Sequence, residues 1–177
     1  NYLKGGIVYA DYVTTVSETY AGEIQMPFYG EGLDGLMRAR NNCLCGIVNG
    51  IDYSEWNPET DPAVWYPFNA GNFRKEKAKN KKELQKELGL EVNDKKFMVG
   101  LVSRLTDQKG LDLVECVMEE LCSEDMQFVI LGTGDPKYEN MFRHYEWKYH
   151  GRVSSSIYYN NERAHRIYAS CDAFLMP

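Results

Sequence analysis

The spacing of hydrophobic residues predicts a strand, a polar loop and a helix in the middle of the chain. Residues 97–102 form an uninterrupted apolar run, FMVGLV, typical of a strand buried on both faces of a parallel sheet. The next residues, Ser103–Gly110, are polar and predict a loop. Beyond them apolar residues recur three or four positions apart, which predicts an amphipathic helix. These residues are Leu111, Val114, Val117 or Met118, and Leu121.

The same alternation continues to the end of the chain. Further strands are predicted, with helices between them. The predicted strands lie at 126–131, 153–159 and 172–176, and the predicted helices at 137–149 and 161–170. From residue 97 the order is therefore βαβαβαβ. Because parallel strands are joined by right-handed crossovers, this order predicts an α/β fold with a doubly wound, Rossmann-like parallel sheet between helices.

The first 96 residues predict shorter elements and one irregular stretch. These elements are a helix end at 2–10, a strand at 11–16, short helices at 18–24 and 34–40, and a strand at 45–48. Ser17 is predicted to cap the first short helix. Residues 53–73, rich in aromatic residues and proline, predict an irregular connector. We interpret its aromatic residues, Trp56 among them, as anchors of this segment; the alternative is that they line a sugar-binding face. Residues 74–88 predict a helix whose many lysines we interpret as a solvated face.

Composition narrows the class of protein. The chain has 177 residues, 44% of them hydrophobic, and a net charge of −6, which argues against a general nucleic-acid binder. No apolar run reaches the length of a membrane span. The five cysteines lack framework spacing and the three histidines lack metal-ligand spacing, so we expect reduced thiols in a cytosolic protein. The chain starts at Asn1 and stops directly after an apolar run, so we expect an internal fragment of a larger protein.

Two cations occupy the loop after the first buried strand. Arg104 and Lys109 lie where a parallel strand ends and a helix begins, which is where open α/β sheets bind ligands. Arginine offers a planar fork and lysine a compact charge, so the pair suits a diphosphate or another clustered anion. The alternative is that both are solvated loop cations that pair with nearby acids. Those acids are Asp107, Asp112 and Glu115.

Two glycines follow the next buried strand, in the segment Gly132-Thr133-Gly134. Glycine at a strand end lets the backbone approach a ligand closely. The alternative is a tight connection between a strand and a helix.

Five separate motifs follow one another along essentially the whole chain, most of them at predicted strand ends. They are residues 11–17 (DYVTTVS) with 20–21 (YA); 48–52 (VNGID) with 56–58 (WNP); 103–110 (SRLTDQKG); 131–136 (LGTGDP); and 165–167 (HRI) with 170–172 (SCD) and 175–177 (LMP). Together they resemble the bacterial glycogen and plant starch synthases. These are retaining glycosyltransferases of the GT-B type, with two Rossmann-like domains.

The resemblance implies roles for the residues at the strand ends. Arg104 and Lys109 would grip the diphosphate of a nucleotide-sugar donor, and Ser103 would bind the donor beside them. Two fixed cations stabilise the departing diphosphate more in the transition state than in the ground state, which is the condition for catalysis. Gly132 and Gly134 would line the donor cleft.

The remaining implied roles each have an alternative. Tyr159 would stack on the adenine, with Tyr158 as the other candidate. Asn49 would face the glucan acceptor, unless it is an ordinary turn residue. We interpret His165 and Arg166 as structural residues that hold their helix to the sheet.

The resemblance also implies partners and a division of the chain. The partners would be ADP-glucose and an α-1,4-glucan, with no nucleic acid and no membrane. No Asp-x-Asp pair is present to hold a metal, so we expect no metal and no cofactor. Residues 1–48 would end an acceptor-side domain, 49–96 would form the crossover, and 97–177 would form most of the donor-binding domain. The compartment would be a bacterial cytoplasm, or a plastid in a plant.

The expected activity belongs to the larger protein of which this chain would be an internal fragment. It would transfer glucose from ADP-glucose to the non-reducing end of an α-1,4-glucan with retention. The family's Lys-x-Gly-Gly loop, cleft histidine and Glu-Pro-x-Gly-Leu segment have no counterpart here, so we expect the isolated chain to be inactive. One alternative is a related enzyme with a small acceptor, of the sucrose- or trehalose-synthase type. The other is a non-catalytic nucleotide- or glycan-binding module.

Overall fold

The computed structural model describes residues 2–177 and divides into two compact units. The first unit ends at Tyr53 and the second runs from Ser54 to Pro177. The predicted division into three parts, at residues 48 and 96, stays a prediction.

The first unit contains short helices and one pair of strands. In order these are α1 (Tyr2–Tyr9), β1 (Val13–Thr15), α2 (Glu18–Glu23), α3 (Asp34–Ala39), a 3-10 turn (Asn41–Cys43) and β2 (Leu44–Gly46). β1 and β2 pair in parallel. Ser17 caps α2 as predicted, because its side chain accepts the Tyr20 N–H at 2.9 Å. A Cβ on Gly46 would lie 2.1 Å from the Ser17 carbonyl oxygen, so the glycine lets β2 pack against this cap.

The second unit has the predicted alternation of strands and helices. Its elements are α4 (Phe73–Glu87), β3 (Phe97–Val102), a 3-10 turn (Asp107–Lys109), α5 (Leu111–Ser123), β4 (Met126–Leu131), α6 (Pro136–Lys148), β5 (Val153–Ser156), α7 (Asn161–Ser170) and β6 (Ala173–Phe174). Residues 54–72 form turns and loops, as predicted for the connector. Residues 157–159 lie beyond β5, although the sequence predicted that strand to reach 159.

The four strands of this unit form one parallel sheet in the order β5-β4-β3-β6. β3 and β4 pair along their full lengths, from Phe97 opposite Met126 to Val102 opposite Leu131. The first strand of this unit, β3, lies inside the sheet; β4 and β5 extend the sheet on one side of it, and β6 extends it on the other. The predicted doubly wound α/β fold is therefore confirmed.

Helices cover both faces of this sheet. Phe128 and Ile130 pack into one buried cluster with residues of α5 and α6, and Val129 and Leu131 pack into another with residues of α4 and α7. Successive residues of a strand point to opposite faces, so the two clusters lie on opposite sides of β4. This double burial explains why β3 and β4 read as continuous apolar runs.

One side of α4 differs from the prediction of a solvated, lysine-rich face. Asn80, Lys81 and Gln85 are buried. The Lys81 ammonium lies 2.5 Å from a carboxylate oxygen of Asp172. The Gln85 side-chain amide donates to the Gln127 side chain at 2.7 Å. Polar partners from distant parts of the chain therefore allow polar side chains to be buried here.

In the part of the chain that the structure describes, no helix is long and apolar enough to cross a membrane.

Candidate nucleotide-sugar site

Loops from three parallel strands meet at the carboxyl edge of the sheet and form two adjoining clefts. The first cleft has a volume of about 290 Å³ and the second about 300 Å³. The first is lined by Trp56, Val102, Ser103, Arg104, Leu131, Gly132, Thr133, Tyr158, Tyr159, Asn160, Asn161, Ala164 and Tyr168. The second includes Gln108, Lys109, Phe174 and residues 175–177, and it shares Val102, Ser103 and Tyr168 with the first. The structure therefore brings Ser103, Arg104, Lys109, Gly132 and Tyr159 to one edge of the sheet.

Arg104 and Lys109 are exposed, and neither side chain has an ion pair or hydrogen bond within residues 2–177. Two of the carboxylates considered as their partners are occupied elsewhere. Asp107 accepts the hydroxyl of Tyr138, and Glu115 pairs with Lys137 at 2.9 Å. The alternative in which the two loop cations pair with neighbouring acids is thus not seen in the structure. Their charges are available to an anion from solution.

The loops that carry these cations are held by backbone hydrogen bonds. The N–H of Ser103 donates to the Leu131 carbonyl at 3.1 Å, and that of Leu105 donates to the Thr133 carbonyl at 2.9 Å. The Asp135 N–H donates back to the Leu105 carbonyl at 2.7 Å. The loop after β3 is therefore fixed to the loop after β4 before any ligand binds, which lowers the entropic cost of binding.

Both glycines of the β4 loop are required by this close pairing. A Cβ on Gly132 would lie 1.9 Å from the Ser103 carbonyl oxygen, and one on Gly134 would lie 2.2 Å from that of Leu105. Gly132 also lines the first cleft, whereas Gly134 lines neither cleft. The structure thus places Gly132 at the site and gives Gly134 a part in the tight connection after the strand.

The two tyrosines after β5 differ in how they are held. Tyr158 is 41% exposed, accepts a hydrogen bond from Arg163 and has that guanidinium 5.4 Å from its ring centre. Tyr159 is 87% exposed, and within residues 2–177 its side chain makes no hydrogen bond or ring contact. Both line the first cleft. Tyr159 therefore has the ring surface that a planar ligand needs, and Tyr158 has a structural contact.

Tyr168 lines both clefts and is held in place by Lys77 and Phe174. Its carbonyl oxygen accepts a hydrogen bond from the Lys77 ammonium at 2.9 Å, and its ring lies 4.7 Å from that of Phe174. Burial lowers the pKa of Lys77. Sequence reasoning missed Tyr168 because it falls on the regular pattern of α7 and reads as a core residue.

His165 contacts the connector, and Arg166 contacts the connector, α4 and its own helix; the contacts shown are not to the sheet. His165 Nδ1 lies 2.5 Å from Asp61 Oδ2, and Arg166 Nε donates to the Ala63 carbonyl at 3.3 Å. Asn49 lies exposed after β2, in the first unit, whereas the donor-site residues all lie in the second. Its predicted acceptor role stays a prediction. Within residues 2–177 no group of three or more His, Cys, Asp and Glu side chains is arranged to hold a metal.

Comparison with known proteins shows similarity along the whole chain. A family model described as the starch synthase catalytic domain matches residues 1–39. The glycogen synthase of Lachnoclostridium phytofermentans is 70% identical over 177 residues, and that of Clostridium acetobutylicum is 52% identical. Both matches cover all of this chain, which spans 37% of the length of each relative.

The solved structures agree. The catalytic domain of starch synthase IV from Arabidopsis thaliana, bound to ADP and acarbose, superposes with a TM-score of 0.91 at 36% identity. That match covers 99% of this chain and 36% of the plant chain. HepE from Anabaena, in complex with UDP, superposes with a TM-score of 0.59 at 16% identity, covers 97% of this chain and 39% of the HepE chain, and shares the fold alone. The resemblance predicted from the motifs is therefore confirmed, and the chain is similar over its whole length to glycogen and starch synthases.

Proposed function

We propose that the second unit holds the nucleotide half of ADP-glucose and that the full-length gene product elongates an α-1,4-glucan. Glucose would be transferred to the non-reducing end with retention of configuration. The observation that carries this proposal is the pair of exposed cations, Arg104 and Lys109, beside a cleft lined with aromatic residues. Within residues 2–177 neither side chain has a partner, and the loop that carries them is fixed by backbone hydrogen bonds. The similarity to glycogen synthases and to a starch synthase structure bound to ADP and acarbose supports the choice of substrates.

In this proposal the two cations bind the donor and also lower the barrier of the reaction. As the bond between glucose and the diphosphate breaks, negative charge gathers on the leaving diphosphate. Fixed cations at this point interact more strongly with the transition state than with the ground state, and this difference lowers the barrier. In this proposal Arg104 supplies a planar fork and Lys109 a point charge. The two side chains balance the negative charge of the diphosphate, and no cofactor is invoked.

The other donor residues would act by position. Ser103 would fix the loop beside the diphosphate, because its N–H is bonded to Leu131 and its hydroxyl donates to the Arg104 carbonyl at 3.0 Å. Gly132 would let the donor approach the β4 backbone, and Tyr159 would stack on the adenine. Asn49 would contribute to the acceptor side. The proposed compartment is a bacterial cytoplasm, or a plastid in a plant.

The experiment is an assay of the full-length gene product with ADP-glucose and UDP-glucose and an α-1,4-glucan acceptor. The proposal expects glucan elongation with ADP-glucose as the better donor and an α-linked product by NMR. A matched Lys109→Ala variant should lose turnover far more than glucan affinity. No transfer from either donor, or an inverted product, would contradict the proposal.

A further inference from the structure

The indole of Trp56 lies between the irregular connector and the first cleft. Trp56 belongs to the connector, residues 54–72, yet it lines the cleft together with Arg104 and Tyr159. Its ring stacks on the imidazole of His165, with ring centroids 4.0 Å apart and an interplanar angle of 16°. Tyr168 meets it edge-on at 5.6 Å. Two residues of α7 thus cover part of the indole, and 39% of Trp56 stays exposed.

The imidazole behind this indole is held by one polar contact. His165 Nδ1 lies 2.5 Å from Asp61 Oδ2, and the two side chains are only 6% and 8% exposed. Asp61 is itself fixed, because its other carboxylate oxygen accepts the N–H of Ala63 at 2.8 Å. His165 Nε2 is buried and has no hydrogen-bond partner within residues 2–177. Asp61 is therefore the polar group that sets the orientation of the imidazole.

Trp56 is not needed to anchor the connector, because neighbouring residues already do so. Val64 is buried, and Trp65 packs against the cluster between the sheet, α4 and α7. The Arg166 guanidinium lies 4.6 Å from the Trp65 ring centre. The indole of Trp56 is partly exposed in an aromatic cleft, and His165 holds it in place. Contact with a ligand explains this arrangement better than anchoring does.

We infer that Trp56 is a wall of the nucleotide cleft that contacts the nucleoside part of the ligand, and that Asp61 and His165 are positioning residues for its indole. The inference rests on the proposed function and extends the donor site into the connector. Stacking on an aromatic side chain suits any nucleobase, since every base presents a flat π-face. An indole already held in place adds affinity without the cost of ordering it on binding.

A double-mutant cycle on ADP affinity tests this inference in the full-length gene product, with calorimetry as the measurement. Trp56→Ala should weaken ADP binding roughly tenfold, and Trp56→Phe should restore much of the loss. Asp61→Asn should weaken binding severalfold in the wild-type background but leave it unchanged in the Trp56→Ala background. The KM for glucan should not move in any of these variants. The matched control is Trp147→Ala, since Trp147 is exposed on α6 and lines neither cleft.

The outcomes separate the inference from the proposed function. Wild-type ADP affinity in Trp56→Ala overturns the inference. An equal effect of Asp61→Asn in both backgrounds, or no effect in either, overturns the positioning role. His165→Gln repeats the cycle if Asp61→Asn does not fold. If Arg104→Ala weakens ADP binding while Trp56→Ala does not, the inference fails and the proposed function stands; if the unmodified protein binds no ADP, the proposed function fails as well.

Discussion

The ammonium of Lys81 lies 2.5 Å from Asp172 Oδ2, and the same carboxylate oxygen accepts the Met98 N–H at 2.8 Å. Lys81 also donates to the carbonyl oxygens of Asp94 and Lys96, at 3.1 and 3.0 Å. One buried ammonium thus joins α4 to the start of β3 and to the residue before β6. The amino ends of β3 and β6, at the edge of the sheet opposite the clefts, are fixed to α4 through this group.

Removing this ammonium should destabilise the second unit. Lys81→Met leaves Asp172 without its cation and two carbonyl oxygens without a donor. We expect a loss of about 2–4 kcal/mol in the free energy of unfolding, at the lower end because Asp172 is 32% exposed. Urea denaturation measures it. The control is Lys86→Met on the same helix, which breaks a more exposed pair with Glu83 and should cost much less; equal losses in the two variants would show that the buried contact adds nothing.

The close pairing of the β3 and β4 loops makes Gly132 intolerant of a side chain. Gly132→Ala places a Cβ against the Ser103 carbonyl oxygen, so the two loops must separate. We expect a loss of about 1–3 kcal/mol in stability together with weaker ADP binding. Gly22→Ala is the matched control, because nothing lies within 4 Å of a Cβ there. Full stability and affinity in Gly132→Ala would refute the close approach.

The cysteines should differ sharply in reactivity. Burial raises the pKa of Cys122 to about 11 and that of Cys171 to about 12, so both thiols stay protonated and unreactive at about pH 8. Cys116 is exposed on α5. Alkylation of the folded protein, read by peptide mass spectrometry, should label Cys116 and spare the other two. Addition of denaturant should expose all three, and rapid labelling of Cys171 in the native state would contradict its burial.

Much of the fold could be predicted because its elements are fixed by local pattern. β3, β4 and α7 have the predicted bounds, since apolar runs and helical spacing report double burial and amphipathic packing directly. β5 ends at Ser156, before its predicted end, because the residues that follow leave the sheet and place Tyr158 and Tyr159 in the first cleft. The burial of Lys81 was missed because its partner Asp172 is 91 residues away.

Some residues of the candidate site could be predicted from the sequence and others could not. Arg104, Lys109 and Gly132 follow buried strands, so topology alone predicted that they would meet at one sheet edge. Trp56 gave no such signal. It lies in a segment without periodicity, and its contacts with His165 and Tyr168 of α7 place it at the cleft.

The central claim is that Arg104 and Lys109 bind a diphosphate. The direct measurement is titration of the full-length gene product with ADP, comparing the Arg104→Ala plus Lys109→Ala variant with a control that loses the same charge. Arg74→Ala plus Lys95→Ala is that control, because both side chains are exposed and line neither cleft. Since each bond to a charged group contributes about 1.5–3 kcal/mol, we predict binding at least roughly 100-fold weaker in the first variant and unchanged binding in the control. Equal ADP affinity in the two variants would contradict the account.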